Sequence, residues 1–341
     1  MSFVAYFARR VAYSILILFG LSILTFVIAR VMPGDPARMA LGARAPKDVV
    51  LKWREWMHLD EPLYIQYYYW MRDAVHGDFG MSLYTRRNVA IDIKTFLPAT
   101  MELILFSGIL SATFGLLLGV MSARYKNSLT DNTIRVTAYF AVATPQFVVA
   151  IFLLLLFGYV LEVLPTMGRL SEHILPPPTV TGMMTVDSII SRDFRAFFDA
   201  LKHLIMPGIA LALGPAAQEA RITRSSMIDN AEKDYVTAER CQGIPERVIN
   251  SKYLLKPSVI ATVSIMGLQF AGSLGSAFVV EVIFGWPGLS SYGTNAMLNK
   301  DLNAISGVTL IIGLVFITMN LIVDVIVAYL DPRIRLREEE E

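Results

Sequence analysis

Chemistry by this chain would need nucleophiles, metal ligands or paired acids and bases, and the sequence holds few in usable spacing. His58, His76, His173 and His203 share no metal-ligand spacing, and the 16 methionines are scattered, so no metal site is expected. Cys241 is the single cysteine, which excludes an intrachain disulfide and leaves the redox compartment undefined. The patterns GxxxxGK[ST], HExxH and GxSxG are missing, so the chain is no ATPase, zinc protease or serine hydrolase of those types. Ionisable residues in or near apolar stretches are Glu102, Arg135, Glu219, Glu281 and Asp324, functional candidates by default. All but Asp324 fall within a turn or two of a predicted span end, so interfacial placement is expected for them. No acid–histidine chain suggests a proton relay, and no residue is expected to be catalytic.

What is left is the chemistry of docking. A polar stretch runs Ala220-Arg221-Ile222-Thr223-Arg224-Ser225-Ser226-Met227, then Asp234-Tyr235-Val236, then Gln242-Gly243-Ile244-Pro245-Glu246-Arg247. Residues 225–242 suit a helix that continues a preceding span. Gly243 should break it, because glycine tolerates backbone conformations that other residues avoid. Pro245 suits the first turn of a new helix, and Glu246 suits its positive end. That second helix is expected to reach about residue 255 and to stop near Pro257. A helix–glycine–helix peg of this kind can enter a groove on a soluble partner and carry rigid motion into the spans. It can equally rest on lipid headgroups through Arg240, Arg247, Lys252 and Lys256. Spacing alone does not separate the two readings.

The surrounding chain is apolar. Hydrophobic residues make up 55% and charged residues 17% of its 341 residues, against about 45–50% and 25% in soluble domains. Six stretches, 11–29, 99–121, 134–161, 204–220, 259–282 and 304–330, are long enough to cross ~30 Å of hydrocarbon as helices. The chain therefore reads as an all-α polytopic membrane protein. The first stretch follows Arg9-Arg10, exceeds the ~7–15 residues of a signal core and precedes no small-x-small cleavage site, so it is expected to be retained. Half of the 30 Lys and Arg fall in roughly a third of the loop length, if the N-terminus is inside. These are Arg9, Arg10, Arg124, Lys126, Arg135, seven residues from Arg221 to Lys256, Arg333, Arg335 and Arg337. The short outer loop 286–303 carries only Lys300. Both termini and the polar stretch are thus expected to be cytoplasmic. Two larger loops, 30–98 and 162–203, lie outside. The first holds Trp53, Trp56, Tyr64, Tyr67, Tyr68, Tyr69 and Trp70, which suit an interfacial belt or contact with an external partner. Pro176-Pro177-Pro178 stiffens the second.

Within the spans, Gly115 and Gly119 form a GxxxG, and Ala271/Gly275, Gly272/Ser276 and Ser273/Ala277 are small residues four apart. Such pairs let helices approach closely. The alternative for the fifth span is a lining for a pathway, with Gln269, Ser273 and Ser276 as its polar candidates. Pro145 and Pro207 are expected to disturb their helices, with Thr144 and Gln146 placed to satisfy freed backbone groups.

Asp234-Tyr235-Val236…Gly243 and the helix after it resemble the EAA loop of ABC-importer permeases, closest to the dipeptide/oligopeptide/nickel family. Other stretches that resemble family landmarks, in order, are Arg9-Arg10, Pro33-Gly34-Asp35-Pro36, Leu59-Asp60-Glu61-Pro62-Leu63 and Gly77-Asp78-Phe79-Gly80-Met81-Ser82. They continue with Leu97-Pro98-Ala99-Thr100-Met101-Glu102-Leu103, Thr144-Pro145-Gln146-Phe147, Glu281-Val282-Ile283-Phe284-Gly285-Trp286-Pro287-Gly288-Leu289 and Leu330-Asp331-Pro332-Arg333-Ile334-Arg335. The likeness covers nearly the whole chain. It departs at Glu239, where the family prefers a small residue, and at Cys241 and Gln242, which bears on the fit to an ATPase. The outer loop around 170–199 is longer than usual.

The resemblance implies a type I ABC importer permease fold with six transmembrane helices. Its parts are a first helix plus external loop (1–98), a five-helix core (99–330) with a cytoplasmic coupling loop (221–257), and a charged tail (331–341). It implies that Asp234, Tyr235, Ala238, Gly243, Ile244, Pro245, Glu246 and Arg247 couple to an ATPase. The implied partners are a second homologous permease subunit, two ABC ATPase subunits that bind ATP and Mg, an extracytoplasmic solute-binding protein and the lipid bilayer of the plasma (inner) membrane. This chain itself would hold no cofactor and bind no nucleic acid. Peptides are the expected cargo, oligosaccharides the alternative and nickel a third. A secondary transporter would need intramembrane coupling charges and repeats, and a membrane-embedded enzyme would need paired catalytic groups; neither pattern is present.

Overall fold

Helix starts are written into short polar segments. Asn88 accepts a hydrogen bond from the Ala90 amide, Ser128 from Asp131, and Asp193 from Ala196, each satisfying an N-terminal amide that has no partner within its helix. The computed structural model describes residues 3–31, 38, 45–56 and 58–330. The landmark Pro33-Gly34-Asp35-Pro36 and the tail 331–341 lie outside these.

The helices are α1 (Phe3–Val31), α2 (Lys47–Trp56), α3 (Leu63–Val75), α4 (Val89–Arg124), α5 (Leu129–Ala143) and α6 (Gln146–Leu153). There follow α7 (Met184–Ile190), α8 (Phe194–Ala231), α9 (Asp234–Cys241), α10 (Glu246–Val248), α11 (Lys256–Ile283), α12 (Leu289–Leu298) and α13 (Leu302–Leu330). Two π-helical stretches, Leu154–Val160 and Ile249–Leu255, continue α6 and α10. Among the described residues, five helices are long and apolar enough to cross a membrane, or six if the bent pair of α5 and α6 forms one span.

The 134–161 stretch is broken at Pro145, as the proline predicts. It turns by 103° between α5 and α6. The residue before a proline is disfavoured in the α region, and Thr144 is accordingly extended at φ −84°, ψ 122°. Its hydroxyl donates to the Phe140 carbonyl at 2.7 Å, which also accepts the Thr144 amide at 2.9 Å, so the hydroxyl doubles an existing bond and does not take up the carbonyl freed by Pro145. Pro207, by contrast, does not interrupt α8, nor does Pro215. Beside Pro207, Gly208 lies so close to the Phe106 ring that a Cβ there would be 2.5 Å from it. The helix thus carries Pro207 where it packs against α4.

Helices α4 and α8 form the centre. The GxxxG residues face α8: a Cβ on Gly115 would lie 2.6 Å from Cβ of Glu219, and one on Gly119 would lie 2.5 Å from Cβ of Thr223. The packing reading of that motif is the one the structure carries. Around this pair, Leu103, Leu204, Leu211, Leu274, Val280 and Trp286 form a buried core with α6 and α11. Helix α1 packs on α13, and Arg10 pairs with Asp324 at 3.2 Å, so the start of α1 and the end of α13 lie at one end. Tyr67 and Trp70 of α3 pack on Phe26 of α1, while Tyr64 and Tyr68 stay exposed. The aromatics of α3 are thus divided between an intrachain contact and the surface.

Three of the residues for which interfacial placement is expected are enclosed by other helices of the chain. Glu102, Glu219 and Glu281 are 4%, 1% and 0% exposed. For Glu102 and Glu219 the predicted window is shorter than the helix: α4 begins at Val89, ten residues before the predicted span, and α8 runs on to Ala231. Those extra turns bring the two carboxylates between helices, whereas Glu281 lies at the end of α11 and is covered by the segment that follows it.

Candidate functional site

The polar stretch folds into a hinged unit. Helix α8 ends at Ala231, and a break at Glu232 and Lys233 precedes α9. The uninterrupted helix expected over 225–242 is therefore two helices. Lys233 is extended at ψ 145° and Asp234 takes the first turn, where a carboxylate suits the positive helix end. Gly243 has φ +78° with nothing within 4 Å of where a Cβ would be, so glycine is required by backbone conformation, not by space. Pro245 occupies the N-cap and Glu246 the first helical position, one residue later than the sequence suggested.

The second arm does not stop at Pro257 either. The chain is helical from Glu246 to Ile283, with Pro257 near the start of α11. Because helix precedes it without a break, Pro257 removes an amide from the interior of the helix. In an α-helix, residue 257 would donate to the carbonyl of residue 253. Pro257 cannot donate, and the Tyr253 carbonyl instead accepts the Tyr235 hydroxyl at 3.2 Å. That hydroxyl also approaches Asn230 Oδ1 at 3.4 Å, and Asn230 Nδ2 donates to Ser258 Oγ at 3.0 Å. Two turns deeper, Thr223 and Thr262 share a hydrogen bond of 2.9 Å. Met227, Val236, Ile249 and Leu254 form a small core beneath, with Ile244 partly buried against it. Helix α9 is thereby fastened to α8 and α11 together.

The outward face of this unit is free. Asp234, Tyr235, Ala238, Gly243, Pro245, Glu246 and Arg247 are all exposed. Arg240 Nε donates to Glu246 Oε1 at 2.9 Å across the glycine turn; both are solvated, so the pair adds little to stability. Lys126, in the turn after α4, reaches Glu232 at 3.5 Å, which places that turn at the same end as the hinged unit.

Gln269, Ser273 and Ser276 come together. They line one cavity of about 370 Å³ with Thr144, Pro145, Gln146 and Gln218. Gln146, expected to satisfy a freed backbone group, faces this cavity instead. The small residues of α11 divide by face. Ala271, Leu274 and Ala277 are buried, whereas Gly272 and Gly275 have nothing within 4 Å of a would-be Cβ.

Residues 115–336 match the family described as "Binding-protein-dependent transport system inner membrane component", and residues 3–104 match its N-terminal counterpart, "Binding-prot-dependent transport system membrane comp, N-term". The chain belongs to this family of transport-system inner membrane components. It is similar to the "Dipeptide transport system permease protein DppB" of Alkalihalophilus pseudofirmus, with 36% identity covering 97% of this chain and 99% of that protein. It is also similar to the "Probable D,D-dipeptide transport system permease protein DdpB" of Escherichia coli (strain K12), with 34% identity and 98% of each chain covered. The "Glutathione transport system permease protein GsiC" of Escherichia coli (strain K12) is 32% identical over 97% of this chain and 99% of its own length. The ABC-importer permease resemblance and the multi-span inner-membrane placement both follow.

Two landmarks of this inner membrane component bolt its other end together. Glu281 accepts from Thr100 Oγ1 and from the Ser291 amide at 2.7 Å. Trp286 Nε1 donates to the Ala99 carbonyl at 2.8 Å, and the Leu289 amide to Thr100 Oγ1 at 2.7 Å. Gly288 lies directly over the Glu281 carboxylate, where a Cβ would be 2.2 Å from Oε1. Arg169 sits over the Trp286 ring and pairs with Glu102, which also accepts from Thr185. The long loop around 170–199 is held by Asp187, which accepts from the Val180, Thr181 and Gly182 amides. Burial raises the Asp187 pKa, but these hydrogen bonds prevail and hold it below the usual carboxylate range.

Sequence reasoning passed over Asp131. It is fully buried, receives two hydrogen bonds from Arg224 at 2.7 and 2.8 Å, and also accepts from Ser122 Oγ and the Asn127 amide. Its only sequence signal is Ser128 three residues earlier, which marks a helix start and says nothing about a partner 93 residues away. Asn230 and Ser258 carried no signal at all.

Proposed function

We propose that this chain is a permease subunit of an ATP-driven importer of di- and oligopeptides, and that the 234–247 face is where its ATPase docks. The observation that carries the cargo reading is that three relatives over nearly full length are named for dipeptides, D,D-dipeptides and glutathione, all peptides. The docking reading rests on an exposed helix–glycine–helix face fastened by hydrogen bonds to two spans.

Two ABC ATPase subunits hold ATP and Mg, and a second homologous permease subunit completes the path. An extracytoplasmic solute-binding protein delivers cargo. The N-terminus, the C-terminus and the 221–257 segment are cytoplasmic. When the ATPases close they move α9, and the Asn230–Ser258 and Thr223–Thr262 bonds carry that displacement into α8 and α11. These two helices contribute Gln218, Gln269, Ser273 and Ser276 to the 370 Å³ cavity, so rotation of the unit opens the path to one side at a time. No residue of this chain makes or breaks a covalent bond.

The test is reconstitution of this chain with the subunits that co-purify with it. ATP-dependent uptake of a labelled dipeptide is expected, with no uptake of a labelled trisaccharide or of nickel. Uptake of the sugar in place of the peptide reassigns the cargo. Activity of this chain alone under an ion gradient sinks the importer reading.

A further inference from the structure

A second, smaller cavity of about 70 Å³ lies beside the larger one, and Pro215, Gln269 and Ser273 line both. Its wall includes Glu219, which is 1% exposed. One carboxylate oxygen accepts a long hydrogen bond from Ser111 at 3.3 Å. The other, Oε2, is buried without a hydrogen-bond donor among the described residues. The rest of the lining is mostly acceptor, the Gln269 side-chain amide being its N–H donor. The Ser107 and Ser273 hydroxyls donate to the carbonyls of Ile104 and Gln269, and the single Ser111 proton is shared between the Gly108 carbonyl and Glu219, so lone pairs are what these hydroxyls have left for the cavity. Pro215 brings no amide to the Leu211 carbonyl, one turn earlier, and Leu211 also lines the cavity.

No lysine, arginine or histidine is in the lining. The nearest cations along α8 are directed elsewhere, Arg221 to Gln218 at 2.6 Å and Arg224 to Asp131. A buried carboxylate without a donor is costly, and a ring of acceptors around it selects a ligand that carries both positive charge and several N–H groups. The volume admits an ammonium group and its first carbon, since ~10–15 Å³ already holds a water.

We propose that this cavity binds a primary ammonium group, with Glu219 as its counter-charge and the serine hydroxyls and Leu211 carbonyl as its acceptors. Two sources share that chemistry: the N-terminus of a peptide in transit through the adjoining cavity, and free ammonium. The first source, though not the site, rests on the peptide-importer reading.

Thermal unfolding of the purified complex tests the site without any peptide. Methylammonium chloride is expected to raise the midpoint by several degrees relative to tetramethylammonium chloride at equal ionic strength, because the latter has no N–H to donate. Glu219→Gln should abolish that difference, and Gln269→Leu, on the facing helix, should reduce it. Equal responses to the two salts, or an undiminished difference in both variants, overturns the site. Reconstituted dipeptide uptake then identifies the source. A loss of about tenfold or more in Glu219→Gln, with dipeptide affinity of the separate binding protein unchanged, assigns the ammonium to the cargo. Undiminished uptake in Glu219→Gln overturns that assignment and leaves free ammonium as the ligand. Absence of dipeptide uptake by the parent complex sinks the peptide reading alone, because the thermal measurement still decides the site.

Discussion

Tyr235 and Arg224 show how single side chains fix the coupling unit. Tyr235 donates to the carbonyl that Pro257 leaves without an amide, and it is partly solvated, 43% exposed, so water can replace it. Tyr235→Phe should therefore cost little global stability, about 1 kcal/mol, yet loosen α9 locally. Amide exchange across 234–241 should accelerate while α4 stays protected; unchanged exchange refutes a fastening role. Arg224 is a different case, because Asp131 has no access to water. Arg224→Met leaves a buried carboxylate unpaired, and a loss of about 3–5 kcal/mol is expected. Pairing it with Asp131→Leu should recover much of that loss, as read from thermal midpoints of the purified complex.

Among the elements, α4 and α8 depend on glycine at their contact. A Cβ at Gly119 would lie 2.8 Å from the Ala220 carbonyl, a backbone atom that cannot rotate away. Gly119→Ala should therefore push the helices apart and destabilise by about 1–3 kcal/mol. Gly272→Ala, on the open face of α11, should be neutral or mildly stabilising within this chain, since its Cβ meets nothing and alanine favours helix. The thermal midpoints of the two variants should separate accordingly. The same contrast explains why small residues four apart were ambiguous in sequence: Gly119 and Gly272 have the same chemistry, and only the neighbouring helix distinguishes them.

For the whole assembly, Gly243 is the position where backbone conformation meets mechanism. Its φ of +78° is closed to proline, so Gly243→Pro must rebuild the turn between α9 and α10. The variant should insert and assemble but lose cargo-stimulated ATP hydrolysis and uptake together. Glu246→Arg, which sets like charges against Arg240, should do the same more weakly. Normal coupling in both variants removes the docking assignment. Much of this architecture was legible in one dimension. The six apolar stretches and the break at Gly243 are local properties, because span length and backbone freedom depend on neighbours in sequence. The EAA-like stretch was legible for the same reason, as a contiguous pattern. A break at Pro145 was legible as well, but its 103° size and the unbroken path through Pro207 were not, since both are prolines and only packing decides how far the chain bends. Nor were the burial of Glu102, Glu219 and Glu281, the Arg224–Asp131 pair and the Asn230–Ser258 bond. Each joins residues far apart in the chain, and their energies exist only once helices close upon one another and water is excluded.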